Sequence, residues 1–149
     1  MKIGIDIDDT ICRGLDNTIP EAMSKEWNYR IENAIAITNS IESIKELIAS
    51  DHMIYFISSR YTADRKLTVK WLESMGIYED EYTLCLRLPE TYGPTFKRIL
   101  IGALGLDIYI DDKPRLIEIA DSLCIRSILF VNWNDTMDKI KDYMRRCIR

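Results

Sequence analysis

A chain of 149 residues, 47% hydrophobic and 30% charged, suits one compact domain with a real core and excludes a linker, a disordered tail or two full domains. Twenty Lys plus Arg against 24 Asp plus Glu give a net charge of −4, so bulk electrostatics disfavour coating of a polyanion or an anionic membrane. The cluster Arg145, Arg146 and Arg149 reads as a solvated last helical turn that complements the helix dipole. Cys12, Cys85, Cys124 and Cys147 form no C-x-x-C pair, so neither a zinc site nor a disulfide framework is expected. No apolar run reaches the roughly 20 residues of a membrane span, and the N-terminus enters an alternating Ile/Asp segment, unlike a signal peptide. A soluble chain in a reducing cytoplasm is the expected setting.

In chain order, residues 2–7 read as a short strand and 53–58 (MIYFIS) as a continuous apolar strand. Between them, residues 12–40 are polar and mixed, and form an insertion. A helix carrying Ile41, Ile44, Lys45 and Ile48 follows and stops before Asp51. After the second strand, Thr62 is placed to cap a helix with Leu67, Trp71, Leu72 and Met75 at helical spacing, and Gly76 to stop it. Residues 84–88 read as a third strand. Pro94 and Gly105 frame the next helix, 107–110 (DIYI) a fourth strand, and Pro114 opens a helix with Leu116, Ile117 and Ile119. Residues 125–131 (IRSILFV) read as a fifth strand, and a last helix runs from about Asp135. Strands alternating with helices imply parallel pairing through crossovers. The expected fold is an α/β three-layer, Rossmann-like sandwich around a parallel five-stranded sheet, one domain over 1–149 with a short cap insertion at 12–40.

Three carboxylates, Asp6, Asp8 and Asp9, crowd the end of the first strand, and a second pair, Asp111-Asp112, ends the fourth. Like charges this close raise one another's pKa unless a cation or hydrogen bonds neutralise them. Two such clusters at one edge of a parallel sheet make a hard-oxygen site suited to Mg²⁺, with coordination positions left for water and phosphate oxygens.

The motif Asp6-Ile7-Asp8-Asp9-Thr10, the apolar strand ending in Ser58-Ser59-Arg60, a Lys near a helix start at Lys97, and the strand Ile108-Tyr109-Ile110-Asp111-Asp112 together resemble the haloacid dehalogenase-like (HAD) phosphohydrolase superfamily in order and spacing. The resemblance covers most of the chain, from Met1 to about Val131. It implies that Asp6 is a nucleophile forming an aspartyl-phosphate, and that Asp8 protonates the leaving oxygen and then activates water. It implies that Ser58 hydrogen-bonds a phosphoryl oxygen and that Lys97 contacts phosphate and nucleophile together. Thr10, Ser59 and Arg60 fall to substrate binding. The metal ligands would be the Asp6 carboxylate, the Asp8 main-chain carbonyl and the Asp111-Asp112 pair, with Asp112 favoured as the direct ligand.

The second-motif stretch and Ile110-Asp111-Asp112-Lys113-Pro114 are similar to the 5′-nucleotidase branch of that superfamily, and also to polynucleotide 3′-phosphatases. The expected substrate is a small phosphorylated molecule, a nucleotide, with a nucleic-acid end as the alternative and no membrane partner. Trp27, Tyr29 and Arg30 in the insertion are candidates to stack on a base and hold a phosphate. Packing of that insertion onto the core is the plainer reading of the two aromatics. A receiver domain that accepts phosphate without turnover would need an acceptor Asp after the third strand, and residues 84–88 supply none.

Overall fold

A computed structural model describes residues 1–13 and 24–147 of the chain. The insertion expected at 12–40 therefore lies partly outside the described residues, as does Arg149. Five strands, β1 (Lys2–Ile5), β2 (Met53–Tyr61), β3 (Tyr82–Arg87), β4 (Ile108–Asp111) and β5 (Arg126–Leu129), form one sheet. Its order is β3-β2-β1-β4-β5, and every pairing is parallel. Six α-helices are described: α1 (Lys25–Glu32), α2 (Ser40–Ala49), α3 (Arg65–Ser74), α4 (Gly93–Ala103), α5 (Pro114–Ser122) and α6 (Trp133–Cys147). The expected α/β sandwich is the observed one.

Strand parity builds the two layers. Ile3, Ile5, Ile54, Phe56, Ile108 and Ile110 face a core shared with Ile41, Ile44 and Leu47 of α2, Leu72 of α3 and Ile140 of α6. The alternate positions, Ile57 and Tyr109, pack with Ile101 of α4 and with Leu116 and Ala120 of α5. Burial on both faces is why these strands read as nearly unbroken apolar runs. Each fully buried Ile or Leu contributes about 1.5–3 kcal/mol, so a slip of β1 by one residue would forfeit several such terms at once.

Gly4 carries a packing requirement. A Cβ there would lie 2.6 Å from Leu106 Cδ1 and 3.0 Å from Tyr109 Cδ2, so its bare backbone is what lets the Tyr109 ring lie against β1. Local chemistry also fixes the helix ends. Ser24 Oγ accepts the Trp27 N–H at 3.1 Å at the start of α1, Pro94 and Pro114 sit in the first turns of α4 and α5, and Gly76 and Gly105 take positive φ just past α3 and α4.

The differences from the sequence reading are local. β1 ends at Ile5 instead of residue 7, although Asp6 N–H still bonds the Ile110 carbonyl at 3.0 Å. β2 runs three residues beyond Ser58, with an irregular register against β3. Thr62 does not cap α3: it opens a 3₁₀ turn over Thr62–Asp64, in which Asp64 accepts the Tyr61 N–H at 2.9 Å. Helix α1 falls in the insertion, where no helical pattern was visible, because only Ile31 of its eight residues is buried.

The strand order reverses between β1 and β4, since the chain steps from β1 to β2 and β3 on one side and returns to β4 and β5 on the other. Open α/β sheets bind ligands at the carboxyl ends of the strands at such a switch point. Asp6 follows β1 there, and Asp111 closes β4.

Candidate active site

At the switch point three side chains form one buried unit. Lys97 Nζ donates to Asp6 Oδ1 at 2.6 Å and to Asp111 Oδ2 at 2.8 Å, and all three residues are at most 5% exposed. Lys97 reaches them because α4 lies on the sheet face towards which Tyr109 also points. Two-residue periodicity puts Tyr109 and Asp111 on that same face, and the Tyr109 hydroxyl donates to Asp111 Oδ2 at 2.5 Å. The other oxygen of Asp111 accepts the Lys113 N–H at 2.8 Å, so both its oxygens are in use. Thr10, fully buried, points its hydroxyl at Asp6 Oδ2 from 3.5 Å, a distance that makes at most a weak bond. The Thr10 carbonyl accepts the Trp133 indole N–H at 2.8 Å, which pins the loop after β1 to the first residue of α6.

The charges of this unit do not balance. Burial pushes the Asp6 carboxyl up to about 8, against the pull of Lys97 and with added repulsion from Asp111. Burial opposes the Lys97 ammonium as well, but Asp6 and Asp111 outweigh it and hold it firmly charged. Burial and the neighbouring Asp111 keep the Tyr109 phenol protonated. Asp112 adds a third carboxylate: one oxygen from each of Asp6, Asp111 and Asp112 lies within 4.8 Å of the others. Its Oδ2 accepts from the exposed Lys113 ammonium at 2.6 Å, whereas its Oδ1 is buried with no hydrogen-bond partner. A buried anionic oxygen without a partner is costly. An all-oxygen donor set with surplus negative charge and one orphaned oxygen fits a hard divalent cation.

Asp8 stands apart from this group. Its side chain is 24% exposed, and its carboxylate is gripped in bidentate fashion by Arg60, Nε to Oδ2 at 2.9 Å and Nη2 to Oδ1 at 2.7 Å. Arg60 is 2% exposed and also donates from Nη1 to Thr68 Oγ1 at 3.2 Å and from Nη2 to Cys12 Sγ at 3.4 Å. The expectation that Arg60 binds substrate therefore meets a guanidinium that is buried and occupied. Ser58 is fully buried, and its Oγ accepts the Arg60 N–H at 3.1 Å. Ser59 is exposed, and its carbonyl accepts from Arg87 Nε at 2.8 Å.

Of the aromatic candidates in the insertion, Trp27 is committed to structure: its indole N–H donates to Asp64 Oδ1 at 2.9 Å, and its ring packs 6.5 Å from that of Tyr61. Tyr29 is 65% exposed, and Arg30 pairs with Glu26 one turn back. Sequence reasoning missed three contributors, Tyr109, Thr68 and Trp133. The alternation in Ile108-Tyr109-Ile110-Asp111 signalled the first, while the partners of the other two are visible only in three dimensions.

No protein-family model matches the chain, and no curated protein matches it. Solved structures do resemble it. The HAD domain of effector protein Lem4 from Legionella pneumophila superposes with a TM-score of 0.67 at 14% identity, over 93% of this chain and 92% of that one. A chain of the Pnkp1/Rnl/Hen1 RNA repair complex also gives 0.67, at 17% identity, over 87% of this chain but 42% of its own length. The class C acid phosphatase from Bacillus anthracis with tungstate bound gives 0.59 at 23% identity, over 87% of this chain and 65% of that one. At these identities the likeness establishes the fold: the chain has the architecture of HAD-superfamily hydrolases.

Proposed function

We propose that the chain is a Mg²⁺-dependent phosphatase that hydrolyses a phosphate monoester through an aspartyl-phosphate on Asp6. The observation that carries this reading is the buried Asp6–Lys97–Asp111 unit at the switch point of the sheet, beside the partnerless oxygen of Asp112. Asp6, Asp112 and the Asp8 main-chain carbonyl would hold the metal. Asp111, whose oxygens serve Lys97, Tyr109 and the Lys113 N–H, would support the site from behind. When bound, Mg²⁺ supplies the positive charge that lets a carboxylate approach an anionic phosphoryl group.

The protein's own groups do the rest. Lys97 holds Asp6 in place and offers its charge to the phosphoryl oxygens as they develop negative charge. An Asp6 oxygen forms a bond to phosphorus as the ester P–O bond breaks, and the departing oxygen takes a proton that Asp8 has first taken up from solvent. Water then attacks the same phosphorus, its proton passes to Asp8, and the bond from phosphorus to Asp6 breaks to free phosphate and restore the nucleophile. The Ser58 hydroxyl, whose oxygen already accepts the Arg60 N–H, keeps its proton to donate to a phosphoryl oxygen.

A nucleoside monophosphate is the substrate class we favour, on the resemblance of the Ser58-Ser59-Arg60 and Asp111-Asp112-Lys113-Pro114 stretches to the 5′-nucleotidase branch. The likeness to a chain of an RNA repair complex supports a second reading, removal of phosphate from a nucleic-acid end. The test is Mg²⁺-dependent phosphate release from 5′- and 3′-nucleoside monophosphates, a 3′-phosphorylated oligonucleotide and an aryl phosphate. Asp6→Asn is expected to lower turnover on the order of 10⁴-fold or more while the protein still folds. Substantial activity in that variant would overturn the mechanism.

A further inference from the structure

We propose that Arg60 is a positioning residue which sets two working groups of the site at once: the Asp8 carboxylate through its guanidinium, and the Ser58 hydroxyl through its main-chain N–H. The proposal rests on the phosphatase reading above and adds to it how the acid–base residue is aimed.

Asp8 lies beyond the end of β1, and its side chain is only partly covered, so β1 alone does not fix its rotamer. The planar guanidinium fork does so, because two parallel N–H···O bonds define the carboxylate plane as well as its distance. The fork is itself fixed. Arg60 belongs to the extension of β2 beyond Ser58, and its third nitrogen is held by Thr68, which is fully buried on α3. A buried guanidinium is tolerated only when paired and hydrogen-bonded, so the Asp8 contact and the burial of Arg60 require each other. Cys12 completes the surroundings, with Sγ 3.4 Å from Arg60 Nη2 and 3.9 Å from Asp8 Oδ1. Its thiol stays protonated, since burial pushes it up to about 12. With its three nitrogens committed inside the fold, Arg60 acts on the reaction through Asp8 and Ser58 and not by gripping substrate.

The two half-reactions depend differently on Asp8, which makes the role measurable. An aryl oxide leaves from phosphorus without much help from an acid, whereas an alkoxide needs the proton; hydrolysis of the aspartyl-phosphate needs the base in both cases. In Arg60→Lys, which keeps the charge and loses the fork, kcat for an aryl phosphate is expected to fall roughly 10²-fold, with KM falling alongside it, because kcat/KM still reports the phosphorylation step that needs little acid. A burst of aryl alcohol stoichiometric with enzyme and an accumulated phosphoenzyme should accompany that fall. Turnover of an alkyl phosphate should fall further and show no burst. Thr68→Val removes one anchor at nearly constant volume and should show the same pattern more weakly. Retained stabilisation by Mg²⁺ in thermal melts verifies that both variants fold with an intact metal site.

A raised KM for both esters without a burst would make Arg60 a substrate ligand and overturn the proposal. Equal losses on both esters without phosphoenzyme would also overturn it, as would parental kinetics in Arg60→Lys. If the parent protein itself releases no phosphate from any ester, the phosphatase reading fails first and the role of Arg60 falls with it.

Discussion

The two halves of the site solve opposite electrostatic problems. Around Asp6, three carboxylates share one buried ammonium and one exposed one, which leaves a surplus of negative charge and an oxygen with no partner. Around Asp8, a single carboxylate meets a single guanidinium in a closed bidentate pair, and the charges cancel. The first half offers the donor set that the proposed cation would take. The second half is complete as it stands, and geometry is what it contributes. A surplus of like charge thus marks where a ligand belongs, while a balanced buried pair marks where a side chain is being held.

Lys97→Met should break the first half most severely. Removing one partner leaves Asp6 and Asp111 buried together without their ammonium, a loss of about 3–5 kcal/mol, read as a lower urea midpoint at unchanged slope. Asp112→Asn sharpens the contrast by removing charge from the orphaned oxygen and sparing the Lys97 unit. The parent should gain about 2.7 kcal/mol in unfolding free energy at a Mg²⁺ concentration 100 times its Kd. At that same concentration the variant should lose most of the gain while keeping its metal-free stability. An undiminished gain would assign the metal to other ligands.

Gly4→Ala probes the support beneath both carboxylate strands. Overpacking against Leu106 and Tyr109 should cost about 1–3 kcal/mol and disturb the hydroxyl that Asp111 accepts from. A neutral result in chemical denaturation would show that Tyr109 moves freely. Trp133→Phe should have the smallest effect, about 1 kcal/mol, from loss of the bond to the Thr10 carbonyl. Its amide exchange should quicken first at residues 8–12.

What the sequence made legible follows the range of the interactions involved. The strands were readable because apolar runs buried on both faces leave a strong local signal, and the two acidic clusters because each follows such a strand, whereas Lys97 was reached through the resemblance to a known family. Arg60 was singled out, but its hold on Asp8 was out of reach, since the two lie 52 residues apart and nothing local distinguishes a guanidinium aimed inward from one aimed at substrate. The extension of β2 through Ser59, Arg60 and Tyr61 was hidden for the same reason: a polar run reads as loop unless its buried ion pair is known. Helix α1 lacked an apolar stripe because it buries a single residue, and Trp133 acts on a carbonyl 123 residues distant.

The most direct test of the central claim is to quench the protein with borohydride during Mg²⁺-supported turnover of an aryl phosphate, and to read the peptide containing residue 6 by mass spectrometry. Reduction of an aspartyl-phosphate yields homoserine, and the expected result is homoserine at position 6, dependent on both Mg²⁺ and substrate and absent in Asp6→Asn. Steady phosphate release with position 6 unmodified, in parent and Arg60→Lys alike, would contradict a covalent phosphatase mechanism on this carboxylate.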